Sequence, residues 1–201
     1  MREKYIKSLL DNVTTILDAH QIDNTTFNLI QSEIDNVCND LTFDFHRKVN
    51  SDTTMLLTDN PYNHVNNLII SNNLNNLKEY ILQYINKYLD GIKVTPEIEP
   101  LIEHSWMTKT KFGSTAEKHE HGISFISGVY YYKVTEQSGN LLFHSPDGYP
   151  DIFKDVNVEM QPKNGKIVIF PGCIPHSVLI NESSEDRYSI SFNVRIFNDN
   201  F

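Results

Sequence analysis

The chain has 201 residues, 39% of them hydrophobic and 11% aromatic, which fits one globular domain and excludes a disordered protein. Its formal net charge of −9, with no basic block, argues against a general affinity for nucleic acid or anionic membranes. We expect a soluble protein of the reducing cytoplasm, because the sequence has two cysteines, no signal-peptide pattern, and no apolar run near the ~20 residues that span a membrane.

The first 91 residues have the apolar periodicity of helices. Apolar residues recur at three- and four-residue spacing over Tyr5–Leu17, Thr25–Leu41 and Leu74–Leu89. This spacing places the apolar side chains of each segment on one stripe, so it predicts three amphipathic helices. We therefore expect residues 1–91 to form a helical region that packs on the rest of the domain.

From residue 92 onward the pattern is that of strands. Short runs of β-branched and aromatic residues alternate with turns rich in Gly, Pro, Asn and Asp. The series predicts a mainly β core over residues 92–201, of the sandwich, jelly-roll or small-barrel type, within one structural domain. The predicted strands are Ile98–Lys111, Ser124–Lys133, Asn140–Phe143, Val156–Met160, Lys166–Phe170, His176–Ile180 and Tyr188–Ile196.

Three histidines in this β region have the spacing of metal ligands. In His119-Glu-His121 the two imidazoles are two residues apart, and side chains at that spacing leave the same face of a strand. The third, His176, follows Pro175 at the head of another apolar strand. A His-x-His pair alone is commonly a surface or hydrogen-bonded feature, so the prediction of a metal site depends on all three.

An arginine begins the last predicted strand. Strand alternation places two rows of side chains on opposite faces of this strand. One row is Arg187, Ser189, Ser191 and Asn193, and the other is Tyr188, Ile190 and Phe192. The guanidinium is a planar fork of donors that fits a carboxylate with two hydrogen bonds. Imidazoles for a metal and an arginine for a carboxylate are the parts needed to bind a metal-chelating keto acid. The alternative is an exposed ion pair of Arg187 with Glu185 or Asp186, which contributes little.

The order of these motifs resembles the prolyl-hydroxylase-like branch of the 2-oxoglutarate/Fe(II) oxygenases. Within it the chain is most similar to the small, mostly uncharacterised oxygenases of bacteria and phages. The resemblance runs from Trp106 to Phe197, about half of the chain. The segments that carry it are His119-Glu-His121, Phe125–Tyr132, Ser138–Phe143, Gly165–Pro171, Pro175–Val178 and Arg187–Ser191.

The resemblance implies a double-stranded β-helix, the jelly-roll or cupin-like fold, with helices at the N-terminal side. It also implies a hydroxylase that couples oxidative decarboxylation of 2-oxoglutarate to oxidation of a small-molecule or peptidyl substrate, whose identity it leaves open along with the oligomeric state. Fe(II) and 2-oxoglutarate are then the cofactor and cosubstrate. The site residues implied are His119, His121 and His176 for the metal and Arg187, Tyr131 and Ser191 for 2-oxoglutarate.

One position departs from the family's pattern. The family usually has an aspartate or glutamate where this chain has His121, completing a set of two histidines and one carboxylate. Three imidazoles would leave the metal's charge uncompensated by the protein. The alternative is that His121 lies outside the ligand set. We also expect Leu142 and Val178 to form walls of the pocket.

Two other classes of function compete with this interpretation. The first is a three-histidine dioxygenase or cupin-like enzyme that does not use 2-oxoglutarate. The second is a non-catalytic jelly-roll binding module. An Arg187 that lies in the interior without a protein carboxylate as partner would favour the oxygenase, because that guanidinium would then be available to a keto acid.

Overall fold

The computed structural model describes residues 4–6, 16–47, 50–55, 67–96, 99–122, 125–145 and 157–196. The helices in these residues are α1 (Asn24–Cys38), α2 (Leu68–Ser71) and α3 (Asn75–Ile92). The strands are β1 (Lys4–Ile6), β2 (Ile16–Ala19), β3 (Asp44–His46), β4 (Ser51–Thr53), β5 (Leu101–Thr110), β6 (Ala116–His119), β7 (Phe125–Lys133), β8 (Leu141–Phe143), β9 (Val158–Met160), β10 (Ile167–Pro171), β11 (His176–Val178) and β12 (Arg187–Arg195).

These strands form two sheets. The major sheet has eight strands in the order β1-β2-β10-β7-β12-β5-β4-β3, and the minor sheet has four in the order β6-β11-β8-β9. The pairings between these strands are antiparallel. The sheets face each other, since one apolar cluster draws its side chains from both. This interior cluster consists of Ile16, Val129, Tyr131, Leu141, Phe143, Met160, Val168, Phe170 and Ile174.

The helices cover the other face of the major sheet. The Asp23 side chain caps α1 by accepting hydrogen bonds from the amides of Thr25 and Thr26, at 2.9 Å each. The apolar stripes of α1 and α3 are buried with the sheet side chains that alternate away from the interior, in an outer cluster that includes Tyr130, Ile190 and Phe192. Burial of such side chains contributes about 1.5–3 kcal/mol each. In the described residues no helix is long and apolar enough to cross a membrane.

The predicted helix over Tyr5–Leu17 is wrong at both of its ends. Residues 4–6 form β1 and residues 16–19 form β2, while residues 7–15 lie outside the described residues. Ile16 belongs to the interior cluster and Leu17 to the outer cluster, so this segment follows the two-residue period of a strand. The physical reason is non-local, because β2 pairs with β10 and is apolar on both faces.

The other predicted helices and all seven predicted strands are confirmed, with ends shifted by a few residues. The first 91 residues also contribute β3 and β4, which extend the major sheet beyond β5. The division into a helical region at residues 1–91 and a catalytic core at residues 92–201 stays a proposal. On that proposal, the N-terminal region contributes strands to the core as well as helices to its outer face.

Candidate metal centre and cosubstrate site

Strand register brings the three histidines together. His119, at the end of β6, is the direct antiparallel partner of His176, the first residue of β11. His121 follows the end of β6, and its backbone N–H donates to the carbonyl oxygen of Gly172 at 2.8 Å. One potential ligand atom from each ring lies within 4.8 Å of the other two. The predicted convergence of these histidines is therefore present.

Two of the three rings are oriented by main-chain carbonyls. Nδ1 of His119 lies 2.7 Å from the carbonyl oxygen of Glu117, and Nδ1 of His176 lies 2.9 Å from that of Ile174. A carbonyl oxygen only accepts, so both Nδ1 atoms carry the proton and donate. In this tautomer the lone pair of each ring is on Nε2, which is the atom that could bind a metal ion, as is common for histidine ligands.

Two of the three imidazoles are held in their neutral form. His176 is 5% exposed, and burial, reinforced by His119 and His121, lowers its pKa well below the ordinary value. Burial, together with the nearby His119, lowers the pKa of His121 to about 3. Because only the neutral imidazole binds a metal, these two rings keep their capacity to bind one at neutral pH.

Aromatic side chains surround the histidines. The Phe170 ring lies 4.8 Å from that of His176, centroid to centroid, and the Trp106 ring lies 5.6 Å from that of His121. The Trp106 ring thus limits the orientation of the His121 ring from outside the histidine cluster. These walls give the centre an apolar surrounding in which charges interact strongly.

Arg187 is buried without a counterion. Its side chain is 3% exposed, and its Nη1 donates to the Ser189 hydroxyl at 3.0 Å. No carboxylate of the described residues pairs with it, and Asp186 instead binds Lys109 at 3.1 Å. The alternative of an exposed ion pair is therefore wrong. Within the described residues its Nε has no hydrogen-bond partner.

Tyr131 lies against this guanidinium. The central carbon of Arg187 is 5.3 Å from the centroid of the Tyr131 ring, and the Tyr131 hydroxyl has no partner among the described residues. Burial raises the pKa of Tyr131 to about 12, with Arg187 acting in the opposite direction, so the phenol stays protonated. Burial also lowers the pKa of Arg187. Two buried donors are thus left available for an acceptor that the described residues do not supply.

The histidines and the arginine adjoin the same interior. Tyr131, which contacts Arg187, belongs to the interior cluster together with Phe143 and Phe170, which pack on His176. Tyr131 faces this interior, whereas its neighbours Tyr130 and Tyr132 point into the outer cluster.

Three further predicted residues are Ser191, Val178 and Leu142, and the structure places each of them differently. Ser191 lies on the same face of β12 as Arg187, opposite Trp106 of β5, and its bond to a cosubstrate stays a prediction. Val178 packs on the interior cluster as expected. Leu142 as a pocket wall is wrong, because its neighbours Leu141 and Phe143 face the interior and alternation turns Leu142 away.

Two contacts were missed by the sequence reasoning. Ser189 is the hydroxyl that binds Arg187, although the sequence placed it only in a polar row. Trp106, the single tryptophan of the chain, packs on His121. Its rarity and its place on a strand of the β region were signals that could have been used.

The donor set fits the cofactor and cosubstrate that the sequence predicted. Three imidazoles are suited to a divalent transition metal such as Fe(II). The unpartnered Nε of Arg187 and hydroxyl of Tyr131 are suited to a carboxylate.

Comparison with known proteins agrees with this geometry. Residues 104–193 match the sequence profile of the family described as "Putative 2OG-Fe(II) oxygenase". No curated protein sequence matches the chain.

Three solved structures with similar folds share little sequence identity with this chain. A prolyl-4-hydroxylase from Pseudomonas putida is 14% identical, with a TM-score of 0.57 over 91% of this chain and 92% of its own. An oxidoreductase of the 2OG-Fe(II) oxygenase family from Burkholderia pseudomallei is 16% identical, with a TM-score of 0.65 over 91% and 84%. HygX from Streptomyces hygroscopicus, solved with nickel, 2-oxoglutarate and hygromycin B bound, is 8% identical, with a TM-score of 0.64 over 92% and 84%.

At these identities the structural similarity establishes the fold, and the predicted double-stranded β-helix is confirmed. The profile match adds the family motifs in the residues that carry the site. Over residues 104–193, which include the candidate site, the chain is therefore similar to the 2-oxoglutarate/Fe(II) oxygenases in sequence profile as well as in fold.

Proposed function

We propose that the chain is an Fe(II)- and 2-oxoglutarate-dependent oxygenase of the hydroxylase type, acting on a small-molecule or peptidyl substrate. The observation that carries the proposal is the pairing of two features around one interior. Three imidazoles converge at one end of the minor sheet, and a buried guanidinium, which no carboxylate of the described residues pairs with, lies on the major sheet. A metal-binding module would need the histidines but not the arginine.

The three histidines would hold the iron. His119 and His176 would bind it through Nε2, because their Nδ1 atoms donate to main-chain carbonyls. His121 would provide the third nitrogen in place of the usual carboxylate. When bound, the iron supplies the capacity to activate dioxygen and oxidise a C–H bond.

Arg187 would bind the far carboxylate of 2-oxoglutarate. Besides the hydrogen bond to Ser189, its Nε has no partner among the described residues, and the protonated Tyr131 hydroxyl is a second donor beside it. Ser191 is proposed as a further donor, since it follows on the same face of β12. The apolar interior cluster would exclude water from the bound keto acid, which strengthens each of these hydrogen bonds.

A titration without oxygen tests the proposal. Fe(II) is added to the metal-free protein with and without 2-oxoglutarate, and the metal-to-ligand absorption band of the chelate is followed. Wild type should develop the band only with both present, and oxygen should then yield succinate. His176→Ala should abolish the band. The matched control is His144→Ala, because His144 lies nearby but binds the Ser177 hydroxyl at 2.8 Å.

The rival functions predict different outcomes. A three-histidine dioxygenase that does not use 2-oxoglutarate would bind Fe(II) but develop no band when the keto acid is added. A binding module without a metal would not take up Fe(II) at all. Metal uptake has its own readout, since Trp106 lies next to His121 and is the only tryptophan whose fluorescence could respond.

A further inference from the structure

The candidate metal centre has no anionic side chain among the described residues. The cluster of potential ligands consists of His119, His121 and His176 and includes no aspartate or glutamate. Glu120, between two of these histidines, is exposed. Asp18 lies opposite Val168 of the interior cluster, but it binds Lys166 at 2.8 Å and so forms a neutral pair.

The same interior contains a positive charge that no described residue compensates. Arg187 is 3% exposed and has no carboxylate partner in the described part of the chain. Divalent iron and Arg187 bring three positive charges, and 2-oxoglutarate brings two negative ones. Counted over the described residues, one positive charge is therefore left over in the complex. The apolar interior cluster and the aromatic walls provide little screening, so a charge left unpaired there is costly.

We propose that the loaded site binds one further small monoanion, and that the substrate class is therefore organic acids, which supply it as a carboxylate. This inference rests on the proposed function. Its basis is the imidazole of His121, which brings no charge where a carboxylate would bring one. A free inorganic anion has the same chemistry and is the other source of the charge.

Acetate and acetamide test the inference on wild-type protein. The two molecules have nearly the same size and shape, and only acetate carries a charge. The protein is loaded with Co(II), which reports ligand changes through its visible absorption, and saturated with 2-oxoglutarate under argon. Acetate should bind at least about tenfold more tightly than acetamide, since an unscreened charge interaction is worth more than that factor. Equal affinities would overturn the inference.

A charge variant gives a second, independent measurement. His121→Asp supplies the missing negative charge, and should weaken acetate binding at least about tenfold while Co(II) is still bound. His144→Asp is the matched control, because it introduces the same charge on a histidine that binds Ser177. It should change acetate affinity by less than about threefold. Acetate affinity unchanged by His121→Asp would contradict the inference.

The two sources of the anion are separated by a series of probes. Tighter binding of longer carboxylates than of acetate would identify a substrate carboxylate. Azide or chloride binding more tightly than any carboxylate would identify a free-anion site. Failure of the proposed function is seen earlier, because a protein that does not bind Co(II) or 2-oxoglutarate fails before acetate is added.

Discussion

Replacing Arg187 with methionine separates the cost of burying a guanidinium from its use in binding a carboxylate. The side chain is 3% exposed, and its Nε has no partner in the described residues. Replacing buried ionic groups with apolar side chains of similar volume is often neutral or stabilising by about 1–4 kcal/mol. The bond to Ser189 would be lost, at a cost of about 1 kcal/mol. We therefore expect Arg187→Met to leave the free energy of unfolding of the metal-free protein unchanged or slightly raised.

The same substitution should strongly weaken cosubstrate binding. Removing one partner of a buried, hydrogen-bonded charge pair costs about 2–5 kcal/mol. Since about 1.4 kcal/mol corresponds to a factor of ten, the Kd of 2-oxoglutarate should rise by about 30-fold to several thousand-fold. The metal is bound by other side chains, so its Kd should change by less than about threefold. Calorimetric titration of the Ni(II)-loaded protein with 2-oxoglutarate measures the first effect, and titration with Ni(II) measures the second.

Arg195→Met is the matched control on the same strand. Arg195 donates to both carboxylate oxygens of Glu103, at 2.7 and 2.8 Å. Its loss leaves a half-buried carboxylate unpaired, which should lower the free energy of unfolding by about 1–3 kcal/mol and leave 2-oxoglutarate binding intact. The reasoning is refuted if Arg187→Met is the more destabilising of the two and retains wild-type affinity for 2-oxoglutarate.

Three shorter predictions concern the centre and the sheets. Trp106→Ala should raise the Kd of Ni(II) about tenfold, because the ring of His121 loses its aromatic contact, whereas Trp106→Phe should not raise it. A Kd of Trp106→Ala equal to that of wild type would exclude this role for Trp106. Gly128→Ala would place Cβ 2.6 Å from Cε2 of Phe192 and should destabilise the protein by about 1–3 kcal/mol in urea denaturation; an unchanged midpoint would contradict the packing. Burial lowers the pKa of His121 and His176 in the folded protein, so on acidification these histidines are protonated in the unfolded chain before they are protonated in the folded one. The free energy of unfolding of the metal-free protein should therefore fall as the pH drops below about 6.5. His121→Gln should flatten that dependence, and an identical slope would argue against the assignment.

The sequence predicted those features of the site that depend on local periodicity. The alternation of polar and apolar residues along β12 separated Arg187 from Ile190 and Phe192, and the structure places them on opposite faces of the sheet. The same alternation puts Tyr131 on the interior face of β7. Side chains in an unbroken strand must alternate, so each of these assignments needed only the strand itself.

Local periodicity was insufficient where a partner elsewhere in the chain decides the structure. Tyr5–Leu17 has apolar residues at spacings that suit a helix, yet its end forms β2, which pairs with β10 and contacts both apolar clusters. Leu142 was assigned to the wrong face because the motif does not say which residue of a short strand points inward. The pairing of β8 with β11 and β9 determines that Leu141 and Phe143 point inward.

The sequence by itself determined which residue types are present for the chemistry: two histidines at strand spacing, a third histidine after a proline, and an arginine at the head of an alternating strand. Only the tertiary structure decided that they meet. The register of β6 on β11 puts His119 opposite His176, and the bond from His121 to Gly172 brings in the third ring. Burial of Arg187 without a carboxylate partner among the described residues is likewise a property of the packed sheets. Register and burial depend on contacts between residues far apart in the chain, which no local pattern contains.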